Sequence, residues 1–534
     1  MQPPDAGSIQ EQLRPPEPPR PRPAPSIRIE PPRAPARRDT APFFVSRFTI
    51  SGATAFGEAQ LLALVGEPRR EMTLGEVQKL AERITEHYRD HGYIVARALI
   101  PAQEVRDGVV RIQVLEGRYG LVQVANATEI SESRVRATLG SVEEGALVHG
   151  PTLERAMLLI ADWAGVQPRA TLEPGEQPGL TNLLIEIAPG RAAEYDLTLD
   201  NGGSRFTGRG RLSAGAAWSS PRRAGDRLAL RAITSGEDLI SARIAYETPL
   251  GAQGMRGFGY LSHTTYELGD QFASLDASGT AQAIGGGLSY PFVRSSRWNL
   301  RVFTAVEARE LEDRLDALDT VTDKSAFVAQ WGAAADLRDK LLGGGASAAQ
   351  LVLTYGGLDI HTADARATDA TTARTQGGYG KLAYSFSRLQ SFGESLRGSL
   401  LFSGQRAFDN LDSSEKLSVG GINAVRAYPP GEGAGDDVQL LQAELRYDAG
   451  SAFGGQVTPL VFLDWAHSRI NHRTWSGFTG DSERRLWGYG FGAEWMMPGR
   501  VFARGWYARK GGDEPAAADR DRDDRLWVQA GVLF

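Results

Sequence analysis

The sequence predicts a transmembrane antiparallel β-barrel of about 16 strands, preceded by two α/β domains of β-α-α-β-β order. Three observations predict it. Helical hydrophobic periods run through the first third of the chain and vanish near residue 190, where period-two alternation takes over. No run of about 18 apolar residues exists, and the best stretches, 156–160 and 460–465, are far too short for a spanning helix. The chain ends on an alternating row of Leu526, Val528, Ala530, Val532 and Phe534. In lipid only helices and closed barrels satisfy every backbone polar group. A soluble β-sandwich shows the same alternation. Strand count, aromatics near strand ends and the terminal strand favour the barrel.

Composition narrows the function classes. At 534 residues the chain holds two or three domains. With no Cys it has neither disulfides nor thiolate metal sites, which fits an oxidising compartment. A net charge of −6 argues against a nucleic-acid partner. Ten Trp and 15 Tyr are an ample interfacial supply for a protein in contact with lipid. Met1 is followed directly by Gln2, Pro3 and Pro4, with no leader pattern. The expectation is a chain that begins at a mature N-terminus.

The N-terminal elements come first. Residues 6–12 are polar and predict a short helix started by Ser8. Residues 14–42 hold 11 of the 28 Pro and seven Arg. That composition favours polyproline II at ~3.1 Å per residue, a reach on the order of 90 Å. A disordered tail and a mobile plug helix (1–13) on a long tether (14–42) both fit.

The first α/β domain spans 43–118. Residues 44–50 alternate as a strand. Thr73 and Glu76 have capping-box spacing, and Leu74, Val77, Leu80, Ile84 and Tyr88 continue a helix to Gly92. Strands at 94–100 and 109–115 follow. Residues 119–189 repeat the order: a strand at 121–124, a helix at 131–139, a second helix opened by Thr152 and ended by Gly165, then strands at 170–173 and 182–187. A repeat of about 70 residues is a pair of similar modules.

The barrel spans 190–534. Tyr195, Leu197 and Leu199 face one way, against Glu194, Asp196, Thr198 and Asp200. Asn201-Gly202-Gly203 is a hairpin signal. Leu212, Ala214, Ala216 and Trp218 form another outward row, as do Leu441, Ala443, Leu445 and Tyr447. About 345 residues at roughly 21 per strand and loop give ~16 strands, an even count.

Enzyme constellations are sparse. His87 and His91 have the spacing of a metal pair on a helix but lack a third ligand, so they read as a solvated face. Gly488, Gly490 and Gly492 alternate with Tyr489 and Phe491 without the strand-to-helix context of a nucleotide loop. Gly beside aromatics in a strand makes room for a ring. No catalytic residue, cofactor or metal is expected.

The informative segment is 419–437, too interrupted for a strand and rich in Gly and Pro. Folded back into the lumen, Arg426 becomes a confined cation, and it then needs a carboxylate. Asp464 lies on a strand at 460–466, on the same face as Phe462. A planar guanidinium suits a bidentate hold on it. The pair is expected to latch the loop.

These residues resemble the two-partner secretion transporters, the family of the filamentous haemagglutinin transporter and the haemolysin activators. Val425, Arg426, Ala427 and Tyr428 are similar to its Val-Arg-Gly-Tyr motif. Phe462, Asp464 and Ala466 are similar to its Phe-x-Asp-x-Gly motif. The two α/β units resemble POTRA domains, the stretch 199–208 resembles the family's first hairpin, and 7–12 its plug helix, with Ile9, Gln10 and Gln12. Ala stands for Gly at both 427 and 466. The resemblance implies an outer-membrane barrel with periplasmic POTRA domains. It implies a secreted exoprotein partner, such as an adhesin or haemolysin, recognised through its N-terminal secretion domain and passed unfolded to the surface. A closed barrel needs no partner for its edges, so a monomer is expected. Competing readings are a barrel-assembly factor of the same superfamily and a passive channel.

Overall fold

The computed structural model describes residues 3–13, 26–29, 41–236, 238–497 and 499–534. Two compact units emerge. One is the barrel with the N-terminal residues 3–13; the other holds the two α/β modules.

In the first module, β2 (Phe43–Val45) pairs with β4 (Arg70–Met72), and β3 (Arg47–Ser51) runs parallel to β6 (Val109–Leu115), which also pairs with β5 (Arg97–Leu99). The strand expected at 44–50 is broken at Ser46, whose N–H turns aside to donate to the Gly108 carbonyl at 2.7 Å. The strand expected at 94–100 shortens to three residues. Helices α2 (Glu58–Val65) and α3 (Leu74–Asp90) bury Leu61, Val77, Ile84 and Tyr88 against Phe48 and Ile112. The Thr73–Glu76 capping box is present.

The second module repeats the order with β7 (Arg118–Asn126), α4 (Glu132–Leu139), α5 (Gly150–Ala161), β8 (Val166–Pro174) and β9 (Leu180–Pro189). Thr152 does not open α5. His149 is the N-cap, and Pro151 sits in the first turn, where its missing N–H costs nothing. The helix ends at Ala161, ahead of Gly165.

The sheet order is β1-β8-β9-β7. Its extra strand, β1 (Ser26–Ile29), comes from the Pro/Arg-rich stretch and lies parallel on β8. For those four residues the polyproline reading is corrected: alternation and an open sheet edge prevail over neighbouring Pro. Residues 14–25 and 30–40 of that stretch lie outside the described residues.

Sixteen antiparallel strands close the barrel, from Ala193–Asp200 to Asp524–Leu533. A two-residue strand, Ser451–Ala452, doubles one turn. The outside is apolar: Leu199, Leu261, Ile284, Phe327, Phe491 and Leu526 are each more than half exposed. Buried polar groups such as Thr198, Ser213, Arg309, Lys381 and Asp464 face inward. The first and last strands pair from Asp196–Leu533 to Asp200–Gln529. Asn201 extends this seam. Its Nδ2 donates to the Leu526 carbonyl at 2.9 Å and its Oδ1 accepts from the Val528 N–H at 2.8 Å. Asn201-Gly202-Gly203 is therefore no tight hairpin; residues 201–210 connect the first barrel strand to the second, Arg211–Ser219, and Asn201 is committed to the seam.

Helix α1 (Ala6–Gln12) lies against the barrel's inner wall. Asp5, not Ser8, is its N-cap. Ser8 is the third helical residue and closes a reciprocal capping box: its N–H donates to Asp5 Oδ1 at 3.0 Å and its Oγ accepts from the Asp5 N–H at 3.1 Å.

A candidate latch and plug in the barrel lumen

Residues 408–436, between strands Leu396–Ala407 and Asp437–Tyr447, fold back into the lumen. The segment closes on itself through backbone bonds. Leu417 and Gly435 exchange a pair at 3.1 Å, Val419 N–H reaches Glu432, and Gly421 N–H reaches Tyr428. Gly421 sits at φ 109°, a conformation that side-chain-bearing residues rarely adopt. The bend it allows turns 425–428 toward the wall. Val419, Val425, Ala427 and Tyr428 then share one apolar cluster with Leu440, Leu460, Phe462, Leu486, Trp506 and Trp527.

Arg426 is brought to Asp464 on the strand Gly455–Arg469. Nε donates to Asp464 Oδ2 at 2.8 Å and Nη2 to Oδ1 at 2.7 Å, a bidentate grip. The Arg426 backbone N–H adds a third bond to Asp464, at 3.1 Å. Both side chains are withdrawn from water, at 3% and 0% exposed. Phe462 lies under the guanidinium, 3.5 Å from ring centre to Cζ, a cation–π stack. Val425 serves by packing, and Tyr428 donates its hydroxyl to the Glu514 carbonyl at 2.9 Å.

Sequence reasoning missed four partners. Glu444 Oε1 takes Arg426 Nη1 at 2.6 Å, so the cation answers to two carboxylates. Trp527 Nε1 donates to the Arg426 carbonyl at 2.7 Å, tying the last barrel strand to the segment. Glu432 accepts from the Ala517 and Ala518 N–H groups, both at 2.8 Å, and pairs with Arg484 at 3.0 Å. The signal for Glu444 was present, since it alternates inward beside Gln442 and Arg446. Trp527 likewise sits between the outward Leu526 and Val528.

The Gly row on the strand Glu483–Met497 explains the Ala at 427. A Cβ at Gly488 would collide with the Ala427 methyl, and one at Gly490 would meet the Phe462 ring at 2.6 Å. Room for the loop's methyl therefore comes from the wall. His87 and His91 lie elsewhere, at the end of α3, with rings 4.3 Å apart and both against Phe56. Burial, then the neighbouring His91, pushes the His87 imidazole below its ordinary range. No cluster of three or more metal-ligating side chains occurs among the described residues.

The N-terminal residues occupy the same lumen. Ile9 packs with Phe206, Leu239, Tyr266 and Phe272. Gln10 borders a small cavity with Arg231, Arg243 and Glu307. Gln12 reaches the in-folded segment at Gly431. A cavity of about 670 Å³ is lined by residues of both α1 and that segment.

The family described as haemolysin secretion/activation protein ShlB/FhaC/HecB matches residues 179–495. This chain belongs to that family. A ShlB-type POTRA domain matches residues 43–117. The transporter is 28% identical over 380 residues to the heme/hemopexin transporter protein HuxB of Haemophilus influenzae, which covers 71% of this chain and 67% of HuxB. It is 23% identical over 439 residues to the outer membrane transporter CdiB of Escherichia coli strain 536, covering 80% and 73%. Among solved structures, CdiB from Escherichia coli superposes with a TM-score of 0.75 at 20% identity, covering 94% of this chain and 93% of that one. BamA from Haemophilus ducreyi lacking POTRA domains 1–3 reaches 0.53 at 15% identity, covering 92% and 100%. The protein is thus a two-partner secretion transporter of the outer membrane, with POTRA domains in the periplasm and an exoprotein as cargo.

Proposed function

We propose that Arg426, gripped by Asp464 and Glu444, is the latch that fixes the in-folded segment while a large exoprotein passes unfolded to the surface. The observation that carries this reading is the burial of one cation between two carboxylates and an aromatic face, on a segment that is irregular apart from one short 3-10 turn. Such a charge is held by geometry, because losing Asp464 leaves it desolvated with Glu444 as its one remaining carboxylate. The chemistry is binding and positioning rather than catalysis. The exoprotein's N-terminal secretion domain is taken to dock on a POTRA sheet edge as an added strand, where backbone hydrogen bonds give affinity. In the second module β1 already covers the β8 edge, which leaves β7 as the sheet's other outer strand. Helix α1 is taken as the plug that must leave for transport, and the barrel as a monomer, with no cofactor.

The test is secretion of a two-partner exoprotein co-expressed with wild type, Arg426→Ala or Arg426→Lys. Barrel insertion is followed by heat-modifiable migration. Export that collapses in both variants supports the latch, since Lys keeps charge but not the fork. Normal export by inserted Arg426→Ala removes the latch from the mechanism.

A further inference from the structure

We infer that the in-folded segment has a second anchor, built on Glu415, and that this anchor is the seat that holds α1 in the lumen. The inference rests on reading α1 as the plug. Glu415 belongs to the short 3-10 turn Ser413–Glu415, eleven residues before Arg426 and against a different part of the wall. Its carboxylate meets Arg309 on the strand Trp298–Leu315. It lies 2.7 Å from Lys381 Nζ, on the strand Gly377–Ser391, and accepts from the Tyr379 hydroxyl at 3.0 Å. Lys381 and Gln405 also donate to the Glu415 carbonyl, at 2.7 and 3.0 Å. The side chains of Arg309, Glu415 and Lys381 are 1%, 2% and 7% exposed. A buried network of this kind keeps its backbone where the side chains put it.

The plug rests on that turn. Gly7 is packed so closely on Ser414 that a Cβ there would meet Ser414 Cβ and N at 2.7 Å. The Ser413 hydroxyl donates to Asp5, the N-cap of α1, at 2.5 Å. Asp412, next to the turn, pairs with Lys324 at 2.7 Å, and Lys324 also lies 3.9 Å from Asp5. On the other side the Ala6 N–H donates to Asp313 at 2.8 Å. Arg309 Nη1 also donates to the carbonyl of Ser414, the residue on which Gly7 packs, at 3.3 Å. Plug and anchor therefore meet on one turn, Ser413–Glu415, while Arg426, Asp464 and Glu444 make none of these contacts. The segment is pinned at two places, one holding the loop and one holding the plug.

The experiment reads single-channel current of the purified full-length protein in planar bilayers, with no exoprotein present. Wild type, Glu415→Gln, a variant lacking residues 3–13, and their combination are compared. Glu415→Gln is expected to lengthen open time about tenfold, equivalent to ~1.4 kcal/mol of lost seating. It should add nothing once α1 is absent, because the two changes act on one event. An unchanged open time, or the same increase with and without α1, overturns the inference. If Glu415→Gln lowers barrel yield, Gly7→Val probes the seat from the plug side. It too must lengthen open time, and an unchanged current refutes the seat. Loss of this effect leaves the Arg426 secretion test untouched, so the two readings fail separately.

Discussion

Arg426 shows how far one residue reads from sequence. Its charge and its place in a Gly- and Pro-rich segment demanded an acid, and Asp464 was nameable because period-two alternation put it on the inward row with Phe462. Glu444 was on an inward row as well, but alternation gives a face and not a distance, so the second carboxylate came from the fold. Removing Asp464 takes three hydrogen bonds from a buried cation and leaves it Glu444 alone. Asp464→Ala should therefore lower barrel stability by about 3–5 kcal/mol. Unfolding in guanidinium, followed by tryptophan fluorescence, measures it. Arg426→Ala with Asp464→Ala should cost less than the two single changes summed, since the double variant leaves no unpaired partner. Additive losses would mean that the pair does not interact. Gly488→Val tests the neighbouring fit: a side chain there collides with Ala427 and should exclude the segment from its groove, read as a loss of protection of 419–436 from protease.

At the scale of elements, caps and strand breaks decided what patterns left open. Ser8 is a good N-cap type, but Asp5 lies three residues earlier, and the pair closes reciprocally only with Asp5 outside and Ser8 inside. Thr152 is a common N-cap type, yet Pro151 is at ease inside a first turn, and the helix starts ahead of both. Strand β1 was illegible because its partner β8 lies far along the chain, and local composition carries no register. In the first POTRA module, Glu116 follows β6 and braces the loop before α2. It accepts from Thr54 and Ala55 N–H groups at 2.6 and 2.7 Å, from the Thr54 hydroxyl, and from Tyr88 at 2.9 Å. Burial pushes its carboxyl up, but these bonds together outweigh it and hold it below the ordinary glutamate range. Burial and the bond to Glu116 push the Tyr88 hydroxyl up. A depressed acid stabilises the fold above its unfolded pKa and loses that contribution as pH falls through the folded one. Glu116→Gln should thus cost about 2 kcal/mol near neutral pH. The difference from wild type should shrink as pH falls below about 4.3, the unperturbed glutamate value. Urea titration of the fragment 41–190 at several pH values measures both, and a pH-independent difference would contradict the assignment.

For the whole molecule, the physics of a lipid-facing sheet set the architecture. Each strand alternates because lipid lies on one side and a polar lumen on the other, and the ends must meet because an unpaired edge in hydrocarbon is costly. Ile284 faces outward at 58% exposed. Ile284→Arg should lower barrel stability by about 2–4 kcal/mol if it lies near the bilayer midplane. Folding titration into lipid vesicles gives that number, and a neutral result would place Ile284 away from the hydrocarbon.

Periodicity, turn chemistry and composition determined the barrel, the paired α/β modules and the identity of the charged pair, because each is set by local spacing or by the side of a strand a residue occupies. Tertiary structure alone decided that Glu444 joins Asp464 at Arg426, which acid of the in-folded segment meets Arg309, which edge β1 covers, and where α1 sits. Those contacts join residues distant in the chain, and their energies depend on burial and on distances of a few ångströms that no local pattern encodes.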